Sequence, residues 1–214
     1  FKAYDLLRLN GEDMRNKPLN VRKDALAKIN VIQSQVVYPA SNQDIQAMRQ
    51  GARAAGAEGV MIKHRHSNYT RGRKAGYWWK WKLDPMTADC VLIYAQAGHG
   101  RRASLHSDYT LACWNQHHEL VPVAKAYSGL TDAELKAMDK WIRKHTLQKF
   151  GPVRQVEALQ VFEIGFEGLA RSTRHKSGIA LRFPRILRWR QDVGPEDADH
   201  LSHFEILMGD FHAV

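Results

Sequence analysis

Two lysines and three tryptophans lie within five consecutive residues of the stretch 77–84 (YWWKWKLD). Read as a β-strand, this stretch sends alternate side chains to opposite faces, so Lys80 and Lys82 project side by side, about 7 Å apart, opposite Trp79 and Trp81. Two like charges this close are unfavourable unless an anion lies between them. The pattern therefore predicts that the tryptophans pack into a core and that the lysines bind a phosphate. The alternative is an edge strand whose lysines only block aggregation.

A second short stretch, 58–63 (EGVMIK), begins with a carboxylate and ends with an ammonium group. Glu58 could ligate a divalent metal, and Lys63 could contact a phosphate. Gly59 permits a close approach of another backbone because it has no Cβ. An ordinary strand can also carry Glu and Lys at its ends, so this stretch is informative only together with the lysine pair that follows it.

The charge of the chain is unevenly distributed. The net charge is +10, and residues 1–84 hold 16 of the 32 Lys and Arg but only 7 of the 22 Asp and Glu. Such an excess favours a polyanionic partner, with nucleic acid first, although a solvated basic face gives the same composition. No apolar run has the length of a membrane span, and no secretory signal pattern is present. Cys90 and Cys113 fit no zinc spacing, which favours a reduced cytoplasmic setting.

The elements that must position these groups follow from apolar spacing and turn signals. Before Pro85 the sequence predicts strands over 1–9, 31–38, 58–63 and 77–84, a helix over 18–30, and a second helix capped by Ser41 and Asp44. After Pro85 it predicts strands over 87–97, 104–114, 120–127, 156–170 and 179–190, a helix after Thr131, and a helical tail from Pro195. Five strands with a helix after the third are typical of a small Greek-key barrel of the OB type.

Four stretches, taken in order, resemble a known set of motifs. EGVMIK and WWKWKLD resemble motifs IV and V of the covalent nucleotidyltransferases, FKAYDLLRLNGED resembles motif IIIa of the ligases, and RFPRILRWRQD resembles motif VI of the DNA ligases. KAYSGLTDAEL is similar to the start of the helix region of the ligase OB domain. The matches extend from Phe1 to about Asp192, and the chain is thereby identified as a member of the ATP-dependent DNA ligases.

The resemblance implies an α+β fold in two domains. Residues 1–84 would be the C-terminal portion of an adenylation (nucleotidyltransferase, ATP-grasp-like) domain, and residues 85–214 an OB-fold β-barrel with a C-terminal helical tail. It implies an enzyme that seals nicked double-stranded DNA with ATP and Mg²⁺, acts as a monomer, has no membrane partner, and resides in the cytoplasm or wherever DNA is.

The resemblance also implies roles for single residues. Tyr4 would stack on adenine, Glu58 would hold the metal near the α-phosphate, and Lys63, Lys80 and Lys82 would contact the nucleotide phosphate during catalysis. In the motif VI stretch, Arg182 would bind the nucleotide, and Arg185, Arg190 and Asp192, with Arg188, would approach the triphosphate. Basic loop residues would contact the DNA backbone: Arg71, Arg73, Arg101, Arg102, Arg171, Arg174 and Lys176.

The sequence departs from the family pattern at three points. No K-x-D-G, which carries the lysine nucleophile, occurs among the 214 residues, and no D-G-E of motif III occurs either. We expect both upstream of Phe1, and we expect this chain alone to be unable to adenylylate itself. Asp192 is followed by Val193 where the family has lysine. An RNA ligase, an mRNA capping-type enzyme and a non-catalytic OB-fold nucleic-acid module remain the alternatives.

Overall fold

The computed structural model describes residues 1–98, 100, 103–127 and 129–212, with side chains as far as residue 209. The chain divides into two compact units, Phe1–Leu83 and Asp84–Val214. None of the helices in the described ranges is long and apolar enough to cross a membrane.

The first unit combines two helices with two small antiparallel pairs of strands. Its elements are β1 (Arg8–Leu9), β2 (Glu12–Asp13), α1 (Leu19–Ala27), α2 (Asn42–Gln50), β3 (Gly59–Lys63) and β4 (Trp78–Lys82). The capping box predicted for α2 is confirmed, since Ser41 Oγ accepts from the Asp44 amide and the Asp44 carboxylate accepts from the Ser41 amide. The strand predicted over 31–38 is wrong: one parallel bridge, Ala3 to Gln33, is its only strand-type pairing among the described residues.

A buried ion pair ties the start of the chain to α1. The Arg22 side chain is fully buried, and its guanidinium donates to both carboxylate oxygens of Asp5, at 2.8 and 2.9 Å. Its Nη1 also donates to the carbonyls of Lys17 and Ser67, at 2.5 and 3.0 Å. A buried arginine needs such partners because an unpaired charge is costly to desolvate. Arg22 therefore links α1 to the segment before β1 and to the loop after β3.

The second unit is mostly antiparallel sheet. Its elements are β5 (Met86–Ala97), β6 (His106–Trp114), β7 (Leu120–Ala126), α3 (Asp132–Lys144), β8 (Thr146–Phe150), β9 (Val153–Val156), β10 (Val161–Phe166), β11 (Gly168–Arg171), β12 (Ile179–Arg182), β13 (Arg185–Arg190), a 3-10 helix (Pro195–Asp197) and α4 (Leu201–His212). The two long strands predicted over 156–170 and 179–190 are each divided. The second division falls at Phe183 and Pro184, since Phe183 has a φ of +53° and proline cannot donate to the ladder.

The main sheet has the strand order β13-β10-β5-β6-β7, with β9 also paired to β5 and β8 paired to β9. The mixed fold class is confirmed, and within the described residues the sheet does not close into a full barrel, since β7 and β13 are not paired. At Gly129, after β7, an added Cβ would lie 1.7 Å from the Ile186 carbonyl oxygen. The chain leaving β7 therefore lies directly against the backbone of β13.

The core of the second unit lies between this sheet and the helices α3 and α4. It includes fully buried residues from β5, β6, α3, β10 and α4, among them Leu92, Leu111, Met138, Phe162 and Phe204. α3 begins with the predicted capping box of Thr131 and Glu134.

Both cysteines lie inside this core. Cys90 on β5 and Cys113 on β6 are free thiols, fully buried, with their Sγ atoms 3.2 Å apart. Burial raises the pKa of the Cys90 thiol well above its ordinary value, which keeps the group protonated.

Candidate functional site

The two strands β3 and β4 bring the three predicted phosphate lysines to one face. In their register Lys63 lies opposite Trp78, Met61 opposite Lys80, and Gly59 opposite Lys82. Paired residues in an antiparallel ladder share a face, and so do residues two apart along a strand. Lys63, Lys80 and Lys82 therefore project from the same face of this two-stranded sheet.

Glu58, the residue before β3, also reaches this face. Its carboxylate forms an ion pair with Lys82 Nζ at 3.1 Å, and its backbone carbonyl accepts from the Leu83 amide. Gly59 makes the approach possible. Its φ is +143°, and an added Cβ would lie 2.3 Å from the Trp81 carbonyl oxygen. Only glycine fits this position, so the placement of Glu58 beside Lys82 depends on Gly59.

The predicted core face of β4 is wrong. Trp79 and Trp81 are 47% and 39% exposed in this chain. Trp78, on the lysine face, is instead the partly buried tryptophan, and its Nε1 donates to Ser67 Oγ at 3.2 Å. Alternation predicted the two faces correctly, but it could not show which face the rest of the unit covers.

Lys63 lies between two aromatic rings. Its Nζ is 4.0 Å from the centre of the Trp78 ring and 5.1 Å from the centre of the Tyr4 ring. Burial lowers the pKa of Lys63, and the nearby charge of Lys23 lowers it further. The structure thus brings together Tyr4 and Lys63, which the sequence assigned to adenine and to phosphate respectively.

The loop between β3 and β4 supplies residues that the sequence reasoning missed. Tyr69 packs edge-on against Trp78 with ring centres 5.6 Å apart. A hydrogen bond between Tyr4 and Tyr69 raises the pKa of Tyr69. The buried Ser67 accepts from Trp78 and donates to the His64 carbonyl. The spacing of residues in the loop does not mark Ser67 or Tyr69, because their contacts with Trp78 form only in the folded chain.

Glu58 places an acidic side chain against the lysine face through its ion pair with Lys82, and the described residues contain no cluster of three or more His, Cys, Asp or Glu side chains that could hold a metal ion. Mg²⁺ commonly takes one or two protein carboxylates and completes its shell with water and substrate phosphates. A partly exposed carboxylate next to lysines that are predicted to contact phosphate fits that donor set.

The motif VI arginines pair with carboxylates of their own unit. Arg185 Nη1 donates to Glu167 at 2.9 Å, and Arg188 lies 3.4 Å from Glu163. The guanidinium of Arg182 lies 5.2 Å from the centre of the Phe183 ring.

Arg190 is the most extensively paired of these arginines. It donates to Asp89 at 2.6 Å and to both carboxylate oxygens of Asp192. The hydrogen bonds from Arg190 lower the pKa of Asp192. Burial raises the pKa of Asp89, although the Arg190 charge opposes that shift. The ion pairs hold the Arg190 guanidinium against Asp89 and Asp192.

The predicted DNA-contact residues fall in several loops. Arg71 and Arg73 are exposed in the loop between β3 and β4, and Arg71 also lines a shallow hollow with Asp13 and Arg15. Arg171 ends β11, while Arg174 and Lys176 lie in the exposed turn that joins β11 to β12. Arg101 and Arg102 lie outside the described residues.

Comparisons with known proteins agree with these motifs. The family model described as ATP dependent DNA ligase domain matches residues 1–82, and the model described as ATP dependent DNA ligase C terminal region matches residues 102–193. A solved structure from a study of Lig E DNA ligases has a TM-score of 0.61 and 17% identity, and it covers 89% of this chain and 63% of that chain. At this identity the likeness bears on the fold alone.

Relatives with closer sequences carry ligase names. A probable DNA ligase of Koribacter versatilis is 45% identical over 173 residues, covering 80% of this chain and 30% of the relative. A DNA ligase of Halorubrum lacusprofundi is 35% identical over 209 residues, covering 97% of this chain and 35% of the relative. The chain thus spans about a third of the length of these relatives. With both family models matching in order along it, the chain belongs to the ATP-dependent DNA ligase family.

Proposed function

We propose that this chain works in the ATP-dependent sealing of nicks in double-stranded DNA. The observation that carries the proposal is the common face of β3 and β4, with Lys63, Lys80 and Lys82 on it and Glu58 paired to Lys82. Ammonium groups fixed on one face can neutralise the negative charge that a phosphate develops during transfer, which is where most catalysis of phosphoryl transfer originates.

The proposed reaction has three steps. A lysine amine attacks the α-phosphorus of ATP, forming a P–N bond while the bond to pyrophosphate breaks. The AMP group then passes to the 5′-phosphate at the nick, which frees the lysine. Finally the 3′-hydroxyl attacks that phosphate, forming the phosphodiester and releasing AMP. None of the 214 residues belongs to a K-x-D-G motif, so a segment carrying that motif would supply the nucleophile.

Each residue of the lysine face has a place in these steps. Lys80 and Lys82 would hold the α-phosphate, and Lys63 would contact it from its position beside Tyr4, whose ring would stack on adenine. Glu58 would bind Mg²⁺ together with substrate phosphates, and the metal would supply further positive charge to the departing pyrophosphate.

We assign residues 1–84 to the C-terminal portion of an adenylation domain and residues 85–214 to an OB-fold domain with a helical tail. In the latter, Arg182, Arg185 and Arg190, with Asp192, would act on the triphosphate. Because Arg185 and Arg190 already pair with carboxylates, they would exchange those partners for phosphate oxygens. The basic loops of both units, with Arg71, Arg73, Arg101, Arg102, Arg171, Arg174 and Lys176, would contact the backbone of a nicked duplex bound by a single protein molecule.

A chimaera tests this function. The matching segment of the Koribacter versatilis relative is replaced by this chain, and sealing of a labelled nicked duplex is measured with ATP and Mg²⁺. We expect sealing with ATP and a loss of about a hundredfold or more in rate for Lys82→Ala. Lys28→Ala, an exposed lysine after α1, serves as the control and should seal as the parent does.

The same assay separates the alternatives. Sealing of nicked RNA but not of nicked DNA, or use of GTP in place of ATP, would overturn the proposal in favour of another nucleotidyltransferase. Full sealing by Lys82→Ala would exclude the lysine face as the phosphate site. A chimaera that binds DNA and seals nothing would favour a non-catalytic binding module.

A further inference from the structure

A row of four polar side chains crosses the second unit away from motif VI. Asp139 on α3 lies between Arg143, one turn further along that helix, and His106, the first residue of β6. Arg154 on β9 then donates from Nε to His106 Nε2 at 2.6 Å. The predicted DNA contacts include none of these residues.

The hydrogen bonds fix the tautomer of His106. An arginine can only donate, so His106 Nε2 must accept, and the ring proton must lie on Nδ1. Nδ1 is 2.6 Å from Asp139 Oδ1, which also accepts from the His106 backbone amide at 2.9 Å. The His106 ring is buried and held on both sides. It therefore acts as a rigid, uncharged support for the Arg154 guanidinium.

The charges along this row do not cancel. Asp139 pairs with Arg143 at 2.7 Å, and although burial opposes it, hydrogen bonds from Arg143 and His106 lower the pKa of Asp139. That carboxylate thus balances Arg143 and leaves Arg154 without a carboxylate partner among the described residues. Arg185 and Arg190 in the same unit each have one.

A second cation lies next to Arg154. Lys149 on β8 is directly opposite Arg154 on β9, so both side chains leave the same face with Cβ atoms about 4.5–5.5 Å apart. Lys149 is exposed, and Arg154 is partly exposed. Like charges in this position are unfavourable without an anion, although a lysine on an outer strand can also serve to block aggregation.

We propose that Arg154 and Lys149 bind a backbone phosphate of DNA, and that His106 and Asp139 are positioning residues that orient the Arg154 guanidinium. With Nε held by His106, the two Nη groups remain to donate to phosphate oxygens, a geometry that suits an oxyanion with two acceptors. The choice of DNA as the source of the phosphate rests on the proposed function.

Salt dependence of DNA binding tests the two cations. Binding of the 214-residue chain to a fluorescent nicked duplex is measured by anisotropy across a series of chloride concentrations. Each cation that contacts a phosphate contributes about 0.9 to the slope of log affinity against log salt. We expect Arg154→Gln and Lys149→Gln each to reduce the slope by about 0.9, and the double variant by about 1.8. The matched control is Lys140→Gln on the exposed side of α3, which should keep the wild-type slope.

The outcomes are distinguishable from failure of the proposed function. If the wild-type chain binds the duplex but Arg154→Gln and Lys149→Gln keep its slope, or lower it no more than Lys140→Gln, this site is wrong while DNA binding stands. If the wild-type chain does not bind duplex DNA, the DNA contact proposed for Arg154 and Lys149 fails, whereas the sealing function is decided by the chimaera assay. Saturable, Arg154-dependent binding of inorganic phosphate in the millimolar range, with unchanged DNA slopes, would assign the site to free phosphate and overturn the DNA contact.

The positioning role has its own readout. His106→Ala keeps the charge of Arg154 but frees its guanidinium, so we expect an unchanged salt slope and an affinity about two- to tenfold lower. His106→Gln, whose amide oxygen can accept from Arg154, should restore most of that loss. Thermal unfolding checks that each variant folds, and if His106→Ala does not fold, the Gln variant alone must retain near wild-type affinity. Full affinity in a folded His106→Ala would overturn the positioning role.

Discussion

Lys63 differs from Lys80 and Lys82 in its surroundings, although all three project from one face. It lies against the rings of Tyr4 and Trp78, whereas the other two lysines are exposed. Burial lowers the pKa of Lys63, so the folded protein holds this proton less tightly than the unfolded chain does. A bound phosphate would reverse that effect by favouring the charged form.

The lowered pKa of Lys63 predicts a pH dependence of stability. Between the folded pKa and the ordinary value of 10.5, the unfolded chain binds more protons, so the free energy of unfolding rises with pH through this window. Lys63→Met removes the contribution. We expect the wild type to gain stability relative to Lys63→Met as pH increases towards 10.5, as measured by urea unfolding at several pH values. A constant difference between the two proteins would contradict the prediction.

The buried pair of Asp5 and Arg22 predicts a large effect on stability. Arg22→Met leaves Asp5 charged and buried without its partner, which should lower the free energy of unfolding by about 3–5 kcal/mol. Arg15→Met, in the exposed pair with Asp13, is the control and should change stability little, because water screens that pair. Urea titrations followed by tryptophan fluorescence measure both, and equal effects would show that Arg22 is not held as described.

At the scale of elements, the hairpin of β3 and β4 depends on one glycine. Gly59→Ala would place a Cβ 2.3 Å from the Trp81 carbonyl oxygen at a φ of +143°. We expect it to lower the free energy of unfolding by more than about 1 kcal/mol and to reduce hydrogen-exchange protection of the β4 amides. Gly72→Ala also has a positive φ, +76°, but meets no atom within 4 Å, so it isolates the cost of the backbone conformation alone. If Gly59→Ala and Gly72→Ala lower the free energy of unfolding equally, the close contact with the Trp81 carbonyl has no effect of its own.

The sequence predicted those elements whose signals are local. Side-chain capping by Ser41 and Thr131 located the starts of α2 and α3, and alternation located β3 and β4. The strand expected over 31–38 has the right composition, but strand formation depends on a pairing partner, which local composition does not specify.

The sequence also predicted only part of the candidate site, namely its lysines and not the residues that support them. The shared face of Lys63, Lys80 and Lys82 follows from alternation plus the register of one ladder, and the lysines were identified from their motifs. The contacts of Ser67 and Tyr69 with Trp78 cross the loop between β3 and β4, and the contact of His106 with Arg154 joins residues 48 apart in sequence. Contacts of that kind require the fold, since no periodicity in a single sequence encodes them.

For the molecule as a whole, the motifs present predict that this chain contacts the nucleotide phosphate but does not supply the lysine nucleophile. The chain has the lysines that we propose to bind phosphate but no K-x-D-G sequence. Incubated with ATP labelled at the α-phosphate and Mg²⁺, the 214-residue chain should therefore form no covalent adduct that survives denaturation near neutral pH, whereas the chimaera with its relative should form one. Gel electrophoresis after denaturation measures the adduct. A labelled band from the chain alone would show that another lysine acts as the nucleophile.

Alkylation of the two thiols in the core of the second unit can report how often that core opens. Cys90 and Cys113 are fully shielded on neighbouring strands, and the raised pKa of Cys90 suppresses its reactive thiolate. An alkylating reagent can reach them only when the core around them opens, so the rate of modification records how often that opening occurs. Cys90 lies on β5, which is bonded to β10, β6 and β9, so the thiols report on the centre of the sheet. The labelling half-life of the native chain thus measures how often the core of the second unit opens.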